Sequence, residues 1–481
     1  MFLGIDIGTS SVKLLLLDDL GSIINTCSKK YPCYYPKAGY SEQDPKDWWD
    51  AVKELIISIP SRDKIKAISF SGQMHGLIIL DKFGNVIRPA ILWNDQRSFL
   101  ETEYLNDVFG KEKLVELTGN IAFTGFTAPK LLWVKNNEGE NFKRIDKVLL
   151  PKDYIIYRFT NKFFTDVSDA SGTLYFDVKN RCWSEEMLKE IDISSNQLPR
   201  VCESAEVIGV IDIDVASELG LTSNVKIIAG AGDQAAGAIG TGCVLPGDIN
   251  ISLGTSGVVF ACLDKYVKSK NPSIHNFAHA NNQYHYMGVI LSAALSLDWW
   301  VKGILETEYD KILSGISKQK IDESLLFLPY LNGERSPIND PYAKGVFFGI
   351  SHTTNKFDLA RAVLEGICFA LKESMDIILE SIEKYSFVQV TGGGSNSMDW
   401  VQILADILQM DINVLKTSEG PAFGAALLAK AGYENKSITK IAKEFISVVK
   451  TIKHDESVKE IYQDKYLKYK KIYENNKMLF R

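Results

Sequence analysis

Residues 5–18 read IDIGTSSVKLLLLD, and residues 251–264 read ISLGTSGVVFACLD. Laid side by side without a gap, seven of the fourteen positions agree, including the Gly-Thr-Ser core. Apolar runs interrupted by Gly are the pattern of buried strands joined by a turn. Such a turn presents backbone N–H groups and two hydroxyls to one concavity, a ready seat for phosphate. A single copy could equally be a tight hairpin capped by its Asp. A core hairpin has no need of a second copy, whereas two related loops facing each other across a cleft can grip both ends of a polyphosphate. The copies differ where charge matters: the first carries Asp6 and Lys13, and the second has Ser252 in place of the acid. Asp6 leads directly into its turn, where a carboxylate can hold a Mg²⁺ that bridges phosphate oxygens. The first loop (Asp6, Gly8, Thr9, Ser10) is expected to handle metal and phosphate. The second (Gly254, Thr255, Ser256) is expected to clasp phosphate from the other side.

Outward from the first loop, MFLGIDIGTSSVKLLLLDDLGSIINT reads as strand, turn, strand, turn, strand. EQDPKDWWDAVKELIISI then starts a helix, with Asp44-Pro45 as its opening and apolar residues at helical spacing. KIKAISFSGQMHGLIIL returns to strands, and strands with interposed helices mean α/β layers. APKLLWVKNN and PKDYIIYRFT read as helices. In VKIIAGAGDQAAGAIG a buried strand meets a Gly-rich acidic turn and a helix of small residues. The second Gly-Thr-Ser stretch opens another α/β unit, which divides the chain near residue 245 into segments 1–245 and 246–481.

With 481 residues, 46% of them hydrophobic, the chain can bury the core of two or more domains. A net charge of −6 argues against a nucleic-acid or anionic-membrane surface, either of which wants a basic patch. The Lys-rich DKYLKYKK stretch near the C-terminus is interleaved with acids and Tyr, and reads as a solvated peripheral helix. Seven scattered cysteines with no C-x-x-C pair suit free buried thiols in a reducing compartment. No signal peptide precedes Asp6 and no run of 18 apolar residues exists to span a bilayer, so a soluble cytoplasmic protein is the expectation.

Three further stretches can carry chemistry. In GAGDQAAGA, Asp233 follows a probable strand end, where ligands of open α/β sheets bind. It could take the proton of an attacking hydroxyl, the part of a base in phosphoryl transfer. It could equally be a helix N-cap, which Asp favours; position alone does not separate the two. VTGGGSNSMDW sets three glycines between a strand and a helix, allowing backbone to approach a base or ribose. SFSGQMHG puts His75 in a loop after a strand, where a structural role competes with a catalytic one.

Taken together these stretches resemble the FGGY carbohydrate kinases, and among them the bacterial xylulokinases. The resemblance covers almost the whole chain and rests on GIDIGTSSVK, YSEQDPKDWW, SGQMHG, RPAILWNDQR, GFTAPKLLWV, DKVLLPKDY, SLGTSGVVFA, FLPYLNGERSP and AKGVFFGISH. GFTAPKLLW (125–133) and GVFFGISHTTNKFDLARAVLE (345–365) are similar to the two signature regions of the family. The resemblance implies two ribonuclease-H-like domains of the actin and hexokinase type, with the active site in the cleft between them. It implies that the first segment binds sugar and metal and supplies the base, and that the second binds ATP. Asp233 would be the base and Asp6 the metal-associated acid. Met74 and His75 would contact sugar, joined by Gln234, Asn94 and Asp95. Gly8, Thr9, Ser10, Lys13, Gly254, Thr255, Gly392, Gly393 and Asn396 would meet ATP or its phosphates.

The implied reaction is Mg-ATP-dependent phosphorylation of D-xylulose at its C5 hydroxyl. Gln234 stands where many xylulokinases have Asn and glycerol kinases have Gln, which leaves another ketopentose or a polyol open as substrate. A chaperone-like ATPase on the same fold is the rival from another class, and it would need a peptide-binding extension or a filament surface. No nucleic-acid or membrane partner is implied. A homodimer is one option, since related kinases are often dimers.

Overall fold

The computed structural model describes residues 1–316, 319–415 and 420–481. Its frame is two seven-stranded sheets. The first is built from β1 (Phe2–Ile7), β2 (Ser11–Leu17), β3 (Ile23–Lys30), β4 (Ala67–Gly72), β5 (Val207–Val210), β6 (Lys226–Ile228) and β7 (Ala231–Gly232). Its order is β5-β6-β4-β1-β2-β3, with β7 continuing alongside β4. The second contains β8 (Asp248–Leu253), β9 (Gly257–Leu263), β10 (His275–Ala278), β11 (Tyr284–Ile290), β12 (Phe387–Thr391), β13 (Ile412–Leu415) and β14 (Val448–Ile452), in the order β10-β11-β9-β8-β12-β13-β14.

The duplication read from fourteen residues runs through both sheets. In each, a strand bearing the Gly-Thr-Ser bend pairs antiparallel with its successor (β1 with β2, β8 with β9). On its other side it pairs parallel with a strand from far along the chain (β4, β12). Strands β1, β4 and β8 are nearly all buried and β12 buries its three central residues, so both faces of the sheets are covered even where, as in DINISL of β8, polar and apolar residues alternate.

Eight helices matter to the site: α1 (Pro45–Ser58), α2 (Thr127–Asn137), α3 (Pro151–Thr160), α4 (Val167–Ala170), α5 (Asp233–Gly240), α6 (Lys356–Leu379), α7 (Gly420–Glu434) and α8 (Lys459–Asn476). Helix α1 starts as expected, with Asp44 accepting the Lys46 N–H and Pro45 at its first position, and it buries Trp48 and Trp49 against the first sheet.

Helix α7 belongs by sequence to the second half yet lies on the first sheet. Its packing is backbone to backbone: a Cβ on Gly424 would fall 1.8 Å from the Ala236 carbonyl oxygen, and one on Gly4 would fall 2.1 Å from that of Ala422. The small residues of α5 and α7 permit this approach. The two halves therefore interlock, and Phe2, Ala236, Phe423 and Leu427 share one core.

Helix α8 forms where the Lys-rich stretch predicts one, but it is not simply solvated. Tyr462, Lys465, Tyr466, Tyr469 and Ile472 are buried on one face. Lys465 is buried because Glu365 of α6 stands 2.7 Å from its ammonium and the Leu325 carbonyl accepts a further proton at 3.0 Å. Four of the seven cysteines are buried, all seven are free thiols, and Cys27, Cys33 and Cys182 reach the surface in part. Among the described residues no helix is long and apolar enough to cross a membrane.

Candidate active site

The first loop is held from three directions. Its bend closes with the Gly8 N–H donating to the Ser11 carbonyl at 3.0 Å, while the Tyr31 hydroxyl donates to the Gly8 carbonyl. The Thr9 hydroxyl accepts from the Trp93 indole at 2.9 Å, and the Thr9 carbonyl accepts from the Gln43 amide at 2.7 Å. The N–H of Gly8 is thus spent on the turn itself, and Ser10 is the exposed tip beside a half-buried Thr9. Asp6 pairs across the hairpin with Lys13 and lies beside Ser71 of β4. Its Oδ1 is buried with no hydrogen-bond partner among the described residues. Burial pushes this carboxyl up to about 6, with Ser71 and Lys13 pulling the other way.

Asp233 is the first residue of α5, reached directly from β7, which continues the sheet beside Ser71 and Gly72. Gly232 takes the N-cap position, so Asp233 is not the cap. Burial, and then the neighbouring Asp6, push its carboxyl up to about 7, while the backbone and side-chain amides of Gln234 pull it down. A carboxylate poised near neutral pH has the basicity a general base wants. It opens onto a cavity of about 190 Å³ between the two sheets. Asp233, Gln234 and Thr241 line one side, and Asn250, Ser252 and Gly392 line the other.

The second loop and the triple-Gly loop form one surface. Gly392 has φ +84°, and a Cβ there would fall 2.8 Å from the Leu253 carbonyl, so only glycine fits. Gly393 has open space around it, and Asn396 is exposed at the end of a short 3₁₀ turn. Behind the second loop, the Thr255 carbonyl accepts from Ala293 and Leu295, and that of Gly254 from Ala294, leaving the Thr255 side chain exposed.

The expected sugar contacts lie behind Asp233. Met74 packs against the base turn: a Cβ on Gly232 would fall 2.9 Å from its Cγ and 3.0 Å from its sulfur. His75 has φ +69°, a conformation rare outside glycine. Three contacts hold it there. Its carbonyl accepts from Lys130 at 3.0 Å and from Thr127 at 3.1 Å, and its ring stacks on Phe126 at 4.7 Å. Nδ1 lies 2.7 Å from the Gly172 carbonyl, which puts the proton on Nδ1 and leaves Nε2 an acceptor. Burial lowers the ring to about 3, so it stays neutral.

Asn94 and Asp95 part company. Asn94 has a buried Oδ1 without a partner among the described residues. Asp95 is fully buried and both its oxygens are taken: Arg97 grips them at 2.9 and 2.7 Å, and the Ser41 N–H reaches Oδ2 at 2.6 Å. Asp95 thus braces the turn that carries Trp93 and Asn94.

Other residues escaped sequence reasoning. Gln73 lies within the quoted SGQMHG, donates to Gln43 at 2.9 Å and keeps a buried Oε1 without a partner among the described residues. Gly420 and Pro421 line the cleft. Gly-Pro marks a helix start in the sequence, but nothing there says that the helix crosses to the other half.

Comparison with known proteins agrees with this geometry. Residues 1–240 match the family model "FGGY family of carbohydrate kinases, N-terminal domain", and residues 249–433 match its C-terminal counterpart. A xylulose kinase of Escherichia coli (strain K12) is 42% identical over 450 residues, covering 92% of each chain. The crystal structure of a xyloylose kinase from Brucella ovis superposes with a TM-score of 0.95 at 37% identity over 99% of both chains. That of a gluconate kinase from Lactobacillus acidophilus superposes with a TM-score of 0.93 at 29% identity, covering 98% of this chain and 97% of that one. With both halves matched and the two-sheet cleft in place, this chain belongs to the FGGY family of carbohydrate kinases.

Proposed function

We propose that this chain is a xylulokinase, transferring the γ-phosphoryl of ATP to the C5 hydroxyl of D-xylulose. The observation that carries the reading is Asp233: a carboxylate raised to about 7, on the wall of a cleft whose far side is Asn250, Ser252 and Gly392. The sugar lies on the Met74-His75 side, oriented by the Nε2 acceptor of His75, by Asn94 and by Gln234. Its terminal hydroxyl gives its proton to Asp233 as the oxygen attacks phosphorus in line. Thr9, Ser10 and Lys13 meet the transferring phosphoryl from the first loop, and Gly254 and Thr255 meet the phosphates from the second. Gly392, Gly393 and Asn396 border the rest of the nucleotide. Segment 1–245 thus supplies sugar site and base, and segment 246–481 the ATP site, with α7 crossing between them.

Asp6 fits a Mg²⁺: it offers a hard oxygen that no donor among the described residues occupies. Among the described residues no cluster of three or more His, Cys, Asp or Glu could hold a metal, which suits an ion shared with phosphates. When bound, the ion supplies charge neutralisation at the phosphoryl oxygens. The cytoplasm is the setting this reading favours, since it supplies ATP and keeps seven free thiols reduced.

The test is ADP release with Mg-ATP, alone and with D-xylulose, D-ribulose, L-ribulose, glycerol and gluconate. The expected result is stimulation by D-xylulose far above the others. Preference for another acceptor would keep the chemistry and reject the substrate; hydrolysis that no sugar alters would reject both.

A further inference from the structure

Behind the base lies a buried charged cluster that the mechanism above leaves unused. Lys152 of α3 is fully buried with its ammonium 2.7 Å from Asp153, 3.1 Å from Asp166 and 3.7 Å from Asp169. One cation among three carboxylates is costly to bury and is weak evidence of a purely stabilising role. A hydroxyl connects the cluster to the active site. Ser168 Oγ lies 2.6 Å from Asp166 Oδ2 and 3.1 Å from the Gly232 backbone nitrogen. A hydroxyl has one proton. Since the Gly232 N–H can only donate, Ser168 accepts there and gives its own proton to Asp166. The same carboxylate oxygen also receives the Ser168 N–H at 2.8 Å and the Ser204 hydroxyl at 2.8 Å, which fixes it in place. Gly232 is the residue immediately before Asp233, and Met74 fills the space where its side chain would be. The base turn is thus clamped between Met74 and the Ser168 hydroxyl.

We propose that Ser168 is a positioning residue for phosphoryl transfer: oriented by Asp166, its hydroxyl holds Gly232 and so sets the direction in which Asp233 enters the cleft. This rests on the reading of Asp233 as the base. Lys152 anchors Asp166 in turn, and α4, which carries Ser168 and Asp169, begins at an N-cap made by Asp166 itself. A hydrogen bond on the residue before a base has one consequence for rate. Misplacing reacting groups by about 1 Å costs on the order of 10²-fold, with little change in ground-state binding.

The experiment is steady-state kinetics with D-xylulose and Mg-ATP, together with melting temperatures, for wild type, Ser168→Ala, Ser168→Thr, Ser204→Ala and Asp233→Ala. Ser168→Ala is expected to lower kcat by about 10- to 100-fold with both KM values within about twofold of wild type. Ser168→Thr, which keeps the hydroxyl, is expected to recover most of that rate. Ser204→Ala removes a bond to the same carboxylate without touching Gly232. It is expected to lower the melting temperature comparably while keeping kcat within about threefold. If Ser168→Ala does not fold, Ser168→Cys keeps the volume with a weak acceptor and must show the same loss in kcat. Asp233→Ala nearly inactive beside a Ser168 variant that differs from wild type only in melting temperature would overturn the inference and leave the base in place. Asp233→Ala with near-normal turnover would overturn the base reading, and the inference with it.

Discussion

The two Gly-Thr-Ser loops share seven of fourteen residues and the same place in their sheets, yet they are not superposable hairpins. In the first, pairing ends at Ile7 opposite Val12 and leaves residues 8–11 in the bend. In the second it reaches Leu253 opposite Gly257 and leaves only 254–256. The one-residue difference changes who faces whom. Lys13 pairs with Asp6, whereas Val259, its counterpart in the gapless alignment, pairs with Ile251, and Ser252 meets Val258. Register decides which side chains share a face, so the second copy has lost both the charges and the cross-strand position that joined them. One loop is built around a buried acid beside the base. The other is a neutral clasp, backed by backbone hydrogen bonds from residues 293–295 and pressed against Gly392.

This asymmetry can be broken at several points. The largest effect is expected at the base both loops serve: Asp233→Ala should lower kcat by about 10²–10⁴-fold, read in the D-xylulose-dependent ADP assay. Next, Asp6→Ala should cost on the order of 10²-fold in kcat and shift the Mg²⁺ titration upward. Ser252→Ala, the same position in the second loop, should cost less than about threefold; equal losses would erase the distinction drawn here. Gly392→Ala adds a Cβ 2.8 Å from the Leu253 carbonyl at φ +84°, and should raise the KM for ATP by about tenfold while sparing that for the sugar.

A smaller effect follows from the protonation of Asp233. Its folded-state carboxyl is raised from 3.8 to about 7. The stability of the neutral form is thus fully present below about 3.8 and lost as pH rises through about 7. Asp233→Asn should therefore melt a few degrees higher than wild type at pH 8, with the gap closing as pH falls toward 4. A gap that widens toward low pH would contradict the raised value. In wild type the same titration predicts that kcat/KM falls about tenfold per pH unit below 7.

How much of this was legible beforehand depends on range. The bends, the strand pattern and the acidic turn at Asp233 are local, and they were readable because glycine and apolar runs constrain backbone over a few residues. The path of α7 was not: its small residues announce close packing, but only the fold says that Gly424 rests on Ala236. The bracing of Asp95 is of the same kind: nothing in the sequence says that Arg97, two residues on, grips both its oxygens. Lys465 looked like a solvated lysine because its partner, Glu365, is a hundred residues away. Asn94, by contrast, carries an unpartnered buried oxygen that no composition or spacing could have separated from its neighbour's.

The most direct test of the central claim is the position of the new phosphate. Purified protein is incubated with Mg-ATP and D-xylulose, and the product is assigned by phosphorus–carbon coupling in NMR. A single product phosphorylated at the C5 oxygen, formed by wild type and absent with Asp233→Ala, is the predicted result. Phosphate on another hydroxyl, or only inorganic phosphate, would contradict it.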